Sequence, residues 1–413
     1  MPGDKSISHR ALLLSALAPG SSVIQGINQG ADVTATLECL RSLGVTAEVD
    51  EAKNQVMVDG SRPLTSPDDV LNAGNSGTTL RTLLGLCSSV PGLSILTGDD
   101  TLRRRPMLRV VEPLRKMGAS ITGRQGGELA PLVVNGGDLV GRSHELAVSS
   151  AQVKTALLLA GLRADGTTQV SEPAPSRDHT ERMLTAAGVA IGTADGRSTV
   201  TGGQEPGPME WVVPGDVSSA LFLVVAATLV PGSDLRIPGV GLNPTRIGAL
   251  QALVEMEAAT EWSEEAISGG EPRGTIRARL SELRAIDIDG GQVATLIDEI
   301  PILAIAASQA EGISTFRDAS ELRLKESDRI TTTVDGLNAL GGHAEALPDG
   351  MVVHGPTALR GGHVDSKGDH RIAMAFAVAA LIATGDVKIR GWSSVETSFP
   401  GFLDVLAAAR GRR

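Results

Sequence analysis

The sequence predicts an α/β protein of two lobes, built from six helix-strand repeats, three per lobe, with buried helices and outer sheets. The first observation is a repeated segment with a polar or glycine-bearing start and an apolar run after it. Its copies are GDKSISHRALLLSAL from Gly3, GNSGTTLRTLLGL from Gly74, SSAQVKTALLLAGL from Ser149, GDVSSALFLVVAATL from Gly215, IDEIPILAIAA from Ile297 and GDHRIAMAFAVAALIA from Gly368. Their starts lie 71, 75, 66, 82 and 71 residues apart, and so near-regular a spacing points to duplication. The second observation is that these runs are apolar nearly all round, the pattern of a helix buried on every side. The third is a different helix type inside most modules, amphipathic and ended by glycine.

Within a module the elements follow in order. After the buried helix and a short strand, leucine or methionine at three-to-four spacing marks an outer helix, with glycine placed where the chain must leave the helical conformation. Such helices end at Gly44 (DVTATLECLRSLG), Gly118 (RPMLRVVEPLRKMG), Gly188 (RDHTERMLTAAG) and Gly341 (SDRITTTVDGLNALG). Short β-branched stretches closed by glycine come next: QVMVDG, LVVNGG, STVTGG and MVVHG. Each module reads helix, strand, helix, strand, strand. Three modules per lobe place an N-terminal lobe at 5–213 and a C-terminal lobe at 214–413, the latter joined by residues 1–4. Buried helices with small polar N-termini bring free N–H groups and dipole ends into the interior, which suits phosphate or carboxylate in a cleft between lobes.

Composition narrows the function. The 413 residues are 41% hydrophobic and 21% charged, ordinary for a chain with a large core, so disorder is not expected. Phe 5, Trp 3 and Tyr 0 leave few rings for stacking on bases, and a net charge of -11 repels a polyanion, so no nucleic acid is expected as partner. The longest apolar run, Ile372 to Ala383, is too short to span a bilayer and reads as a buried helix, so no membrane partner is expected. Cys39 and Cys87 fall in helical patterns without ligand spacing and read as small buried hydrophobes. With no leader pattern, a cytoplasmic enzyme is expected, and a monomer.

Several motifs carry charge where a buried helix begins. In GDKS, Asp4 breaks any nucleotide-loop pattern; the alternative to a functional lysine is an N-cap with Lys5 in solvent. Arg103 to Arg105 would be a solvated loop, except that Pro106 sets Arg105 at a helix entrance. KESDR, Lys325 to Arg329, packs cations and carboxylates at a helix start and is either a surface network or a site. Asp298 and Glu299 precede an apolar helix and must be capping, paired or catalytic. The histidines show no metal-ligand spacing, so no metal is expected.

Taken together, PGDKSISHR, GNSGTT with Arg81, RRPM, SSAQ, SRDHTE, IDEIP, KESDR, GDHR and TSFP, from residue 2 to about 402, resemble the enolpyruvyl transferase family in its 5-enolpyruvylshikimate-3-phosphate synthase branch. The resemblance implies the two-lobed fold of that family and transfer of the enolpyruvyl group of phosphoenolpyruvate to the 5-hydroxyl of shikimate 3-phosphate, without cofactor. It implies that Lys5, Ser6, Arg10, Ser149, Ser150, Gln152, Arg177, Asp298, Glu321 and Lys325 contact shikimate 3-phosphate. Lys5, Asn75, Gly77, Arg105, Gln152, Arg329 and Arg371 would hold phosphoenolpyruvate, forked guanidinium groups suiting its carboxylate and phosphate. Asp298 would be the hydroxyl base, held ionised by cations, Glu326 the proton donor to carbon, and Lys5 an assistant at the phosphate or hydroxyl.

Three departures qualify the resemblance. The chain starts at Met1 directly before the Pro-Gly-Asp-Lys motif, so a strand of the C-terminal lobe is expected to be missing. Thr397 and Glu321 stand where one branch has lysine and asparagine, and with Arg177 they resemble the glyphosate-tolerant branch. Two rival readings stand beside this one. One is the transferase acting on a UDP-linked amino sugar, UDP-N-acetylglucosamine, which uses a loop cysteine that neither Cys39 nor Cys87 matches. The other is a noncatalytic anion-binding paralogue.

Overall fold

The computed structural model describes residues 1–194 and 196–409. The chain forms two compact units, one of Gly3–Val213 with Ile267–Glu271, the other of Met1–Pro2, Pro214–Ala266 and Pro272–Arg413. This differs from the expected division in two places. Gly3 and Asp4 belong to the first unit, because Asn28 Nδ2 donates to Gly3 O at 2.9 Å and Asp4 caps the first helix. Ile267–Glu271, a hairpin tip from far along the chain, also joins that unit, where Glu271 Oε1 lies 2.8 Å from His179 Nδ1.

In the first unit the buried helices are Lys5–Leu17, Gly77–Cys87 and Ala151–Leu162. The last two approach backbone to backbone, because a Cβ on Gly85 would lie 2.2 Å from Ala156 O. Each helix is flanked by a four-stranded sheet, for example Leu71–Asn72, Gly92–Thr97, Leu129–Gly136 and Ser120–Arg124 in that spatial order. The first sheet is completed from the far end of the unit, where Glu210–Val212 runs parallel to Ser21–Gln25. The short strands that precede the buried helices were not legible in the sequence. Leu71–Asn72 and Ser143–Glu145 are too brief to show alternation, and each pairs in parallel across its helix with the strand that follows.

In the second unit the buried helices are Val217–Leu229, Ile300–Ala307 and His370–Ala379. Its fifth module repeats the pattern with Asp287–Ile288, Gly312–Phe316, Gly350–Gly355 and His343–Leu347, while the sixth pairs only Arg360–Asp365 with Thr384–Arg390 among the described residues. All five phenylalanines lie in this unit's core; the first unit's core is aliphatic apart from Trp211. The outer helices end as the glycines foretell, with φ of +93° at Gly44 and +79° at Gly341, left-handed values that cost other residues strain.

One run, Gly290–Ala307, is long and apolar enough to cross a membrane by length and composition, and 61% of it is buried. A 3-10 turn at Ile297–Glu299 interrupts it and sets Asp298 and Glu299 at its middle. Cys39 and Cys87 are buried, and loss of solvent pushes each thiol up to about 12, which leaves them inert packing groups.

Candidate active site

Five of the six buried helices start with a side-chain cap, which partly corrects the expectation of free N–H groups. Asp4, Asp216 and Asp369 cap with carboxylates, accepting from Ile7, from Ser218 and Ser219, and from Arg371. Ser76 and Ser150 cap with neutral hydroxyls, accepting from Thr79 N and Val153 N. A carboxylate cap cancels the positive dipole end, whereas a hydroxyl cap leaves it. The anion-compatible helix ends of the first unit are therefore those at Gly77 and Ala151.

The side chains of the first unit converge around these two ends. Arg81 NH1 donates to Gln152 Oε1 at 2.6 Å, and Gln152 Nε2 donates to Thr78 Oγ1 at 2.9 Å. Arg105 NH2 donates to Asn75 Oδ1 at 3.2 Å, and Asn75 Nδ2 to Asp99 Oδ2 at 2.6 Å. Gly77 stands between the two arginines: a Cβ there would lie 2.8 Å from Arg81 NH1 and 3.3 Å from Arg105 NH1. Arg105 itself closes a 3-10 turn, Leu102–Arg104, and the following helix begins only at Leu108, so Pro106 does not place it at a helix entrance.

A second cluster surrounds Ala151. Arg10 is buried, and its hydrogen bonds run to Thr180 Oγ1, Thr155 Oγ1, Ser6 O and Ala151 O, all neutral oxygens. Burial pushes its guanidinium down to about 10, Glu181 and Asp4 oppose the shift, and the nearby charge of Arg177 adds to it. A bound anion would relieve that cost. Ser149 Oγ is turned to Ala174 O at 2.6 Å, and Ser150 N donates to Glu172 Oε1 at 2.9 Å. Lys5 is not a solvated lysine, since its Nζ lies 2.9 Å from Asp32 Oδ2 with both side chains largely covered.

In the second unit, Glu299 makes no side-chain cap for the helix Ile300–Ala307, and Asp298 and Glu299 are both paired. Asp298 Oδ1 lies 3.1 Å from Arg329 NH1 and 3.2 Å from Lys325 Nζ. Arg329 also reaches Glu326 Oε2 at 2.6 Å and Asp369 Oδ2 at 2.7 Å. Burial alone would weaken the Arg329 charge, but Asp369, Glu326 and Asp298 outweigh it and hold the guanidinium more firmly protonated than usual. Arg371 NH1 donates to Glu299 Oε1 at 3.0 Å and to Asp298 O at 3.3 Å. Glu321 lies on the 3-10 turn Ser320–Leu324 that leads to Lys325. A separate cavity of about 840 Å³ in this unit, lined by residues such as Leu229, Glu257 and Arg284, includes none of these groups.

The chain is similar to known proteins over nearly its whole length. The family model described as EPSP synthase (3-phosphoshikimate 1-carboxyvinyltransferase) matches residues 1–406. A 3-phosphoshikimate 1-carboxyvinyltransferase of Desulfitobacterium hafniense is 48% identical over 406 residues, 98% of this chain and 93% of that protein. One of a Synechococcus species is 50% identical over 412 residues, 98% and 92% of the two chains.

The chain belongs to the EPSP synthase family.

The EPSP synthase of Acinetobacter baumannii superposes with a TM-score of 0.88 at 40% identity, covering 99% of this chain and 94% of that one. The enolpyruvyl transferase NikO of Streptomyces tendae, at 18% identity and a TM-score of 0.78 over 99% of this chain and 93% of that one, shares the fold alone. The α/β fold expected from the repeats is thus the EPSP synthase fold.

The structure brings together groups that sequence reasoning did not single out in this family member. Lys154, inside a buried helix, lies 2.8 Å from both Glu172 Oε2 and Glu181 Oε1. Burial disfavours its charge, but the two carboxylates prevail and raise it. Glu172 in turn accepts from Ser150 N and from Ser176 Oγ, at 2.9 and 2.8 Å, and so fixes the segments carrying Ser150 and Arg177. A lysine in an otherwise apolar helix was a readable signal, because such a charge is buried only when paired. In the second unit, Ser218 Oγ donates to Glu299 Oε1 and accepts from Arg246 NH2, links from 28 and 81 residues away that no local pattern announces.

Proposed function

We infer that the chain catalyses transfer of the enolpyruvyl group of phosphoenolpyruvate to the 5-hydroxyl of shikimate 3-phosphate, with release of phosphate, in the route to aromatic amino acids. The observation that carries this reading is the near-complete coverage at 48% identity by relatives named 3-phosphoshikimate 1-carboxyvinyltransferase. The pairing of Asp298 with two cations supports the acid-base part of it.

From the first unit, Lys5, Ser6, Arg10, Ser149, Ser150, Gln152 and Arg177 are assigned to shikimate 3-phosphate, and Lys5, Asn75, Gly77, Arg105 and Gln152 to phosphoenolpyruvate. From the second unit, Asp298, Glu321 and Lys325 are assigned to shikimate 3-phosphate, and Arg329 and Arg371 to phosphoenolpyruvate. The neutral partners of Arg10 and the hydroxyl-capped helix at Ala151 support a phosphate there.

The reaction is addition followed by elimination. The 5-hydroxyl oxygen bonds to C2 of phosphoenolpyruvate while its proton passes to Asp298, and C3 takes a proton from Glu326 to become a methyl group. In the second half the C2–O bond to phosphate breaks, the departing phosphate oxygen, with Lys5 beside it, takes up the proton that Asp298 gained, and C3 returns a proton to Glu326. Lys325 and Arg329, within 3.2 Å of Asp298, stabilise its negative charge and suit it to the base role. The 2.6 Å contact to Arg329 favours the anionic form of Glu326, so its donor role requires Arg329 to turn toward the substrate anion.

The test is phosphate release from phosphoenolpyruvate with each acceptor in turn. Release with shikimate 3-phosphate and none with UDP-N-acetylglucosamine is expected. The reverse pattern, or tight anion binding without turnover, would refute the assignment.

A further inference from the structure

We propose that His343, Glu345 and His354 form a binding site for a divalent cation of the zinc class, separate from the residues assigned to either substrate. The strands His343–Leu347 and Gly350–Gly355 form a tight antiparallel hairpin with His343 opposite His354 and Leu347 opposite Gly350. Alternation along a strand puts His343 and Glu345 on one face, and direct pairing puts His354 on the same face.

The side chains use that placement. The two imidazole rings stack with centroids 3.9 Å apart and planes 11° from parallel. Both Nε2 atoms lie 3.8 Å from the same oxygen, Glu345 Oε1, and all three donor atoms lie within 4.8 Å of one another. Zinc held at about 2.0 to 2.2 Å by nitrogen and oxygen keeps its ligand atoms roughly 3.3 to 3.6 Å apart in a tetrahedron. The separations here exceed that by a few tenths of an ångström for the two contacts to Glu345, a change that side-chain rotation supplies without moving the strands.

The donor set selects the ion. Two imidazoles and one carboxylate suit zinc and its transition-metal neighbours, whereas calcium and magnesium require mainly oxygen ligands. Three protein ligands on an open strand face leave a further position for water. Metal binding would clip the open end of a hairpin whose turn already carries load for the candidate site. Pro348 O accepts from Arg323 Nε at 2.9 Å, and Asp349 O from Ala319 N at 2.7 Å, on either side of Glu321.

The experiment is calorimetric titration of the chelator-treated full chain with zinc chloride near neutral pH, with thermal unfolding measured in parallel. One zinc per chain is expected, together with a rise in melting midpoint. His354→Ala and Glu345→Gln should each weaken binding by at least about tenfold and remove the rise, while both variants turn over normally without zinc. All three residues are at least partly exposed, so both variants should fold, which circular dichroism verifies. Absence of zinc binding, or binding undiminished in the two variants, would overturn the proposal.

Discussion

Gly77→Ala gives the sharpest reading of the first-unit cluster. Gly77 opens the helix Gly77–Cys87, is buried, and does not have a left-handed backbone, so alanine fits its conformation and gains helix propensity of up to about 1 kcal/mol. Stability should therefore hold or rise by a few degrees, which separates the steric effect from misfolding. The added methyl would stand 2.8 Å from Arg81 NH1 and 3.3 Å from Arg105 NH1. Both neighbours are ends of flexible side chains and can yield by a few tenths of an ångström, although Arg81 must keep its bond to Gln152. Phosphoenolpyruvate, the smaller ligand, should lose less than about tenfold in KM. If Gly77 lines the site as proposed, glyphosate, which is longer, would need the space the methyl takes, and its inhibition constant should rise by about 10- to 200-fold, the usual cost of a methyl-sized misfit. Steady-state inhibition with phosphoenolpyruvate varied at saturating shikimate 3-phosphate yields both constants. Equal factors for the two ligands would show that Gly77 does not line the discriminating end of the site.

Asp298→Asn keeps the size and polarity of the side chain but removes the proposed base, so kcat should fall by about 10² to 10⁴ with KM for shikimate 3-phosphate nearly unchanged; wild-type turnover would assign the residue to structure alone. Lys154→Ala leaves Glu172 and Glu181 buried without their cation, and denaturant unfolding should show a loss of about 3 to 5 kcal/mol. His9 is buried beside Thr36, and burial lowers it to about 3 from an ordinary value of 6.5. Between those values the unfolded chain binds a proton that the folded chain does not. Stability is thus unaffected above pH 6.5 and is lost progressively as the pH falls toward 3, by roughly 4 to 5 kcal/mol in all. Urea titrations from pH 7 to 4 should show a smaller loss in His9→Gln than in the wild type; an equal loss would remove His9 from the acid response.

Much of this architecture was legible because duplication writes the same pattern six times. The buried helices and the glycines that end the outer helices follow from periodicity and backbone sterics, which are local. What the sequence hid was non-local. The strand Glu210–Val212 closes a sheet begun at Ser21, and the tip Ile267–Glu271 meets His179, contacts that only the folded chain defines. The same holds within the candidate site. Asp298 and Glu299 read as capping, paired or catalytic, and nothing local decides among the three. Of their actual partners, Lys325 and Arg329 lie later in the same module and Arg371 in the next one. Arg105 was misplaced by the proline beside it, since a 3-10 turn intervenes before the helix. The residues expected to touch ligands follow from resemblance alone, and the structure shows which of them share a partner.

The most direct test of enolpyruvyl transfer through addition and elimination is the reaction run in deuterium oxide and followed by phosphorus and proton magnetic resonance. Phosphate should appear only when phosphoenolpyruvate and shikimate 3-phosphate are both present. The vinyl methylene of the product should carry deuterium, because C3 passes through a methyl group that takes a solvent-derived proton and then returns one. Phosphate released from phosphoenolpyruvate alone, or a product whose methylene carries no deuterium, would contradict the account.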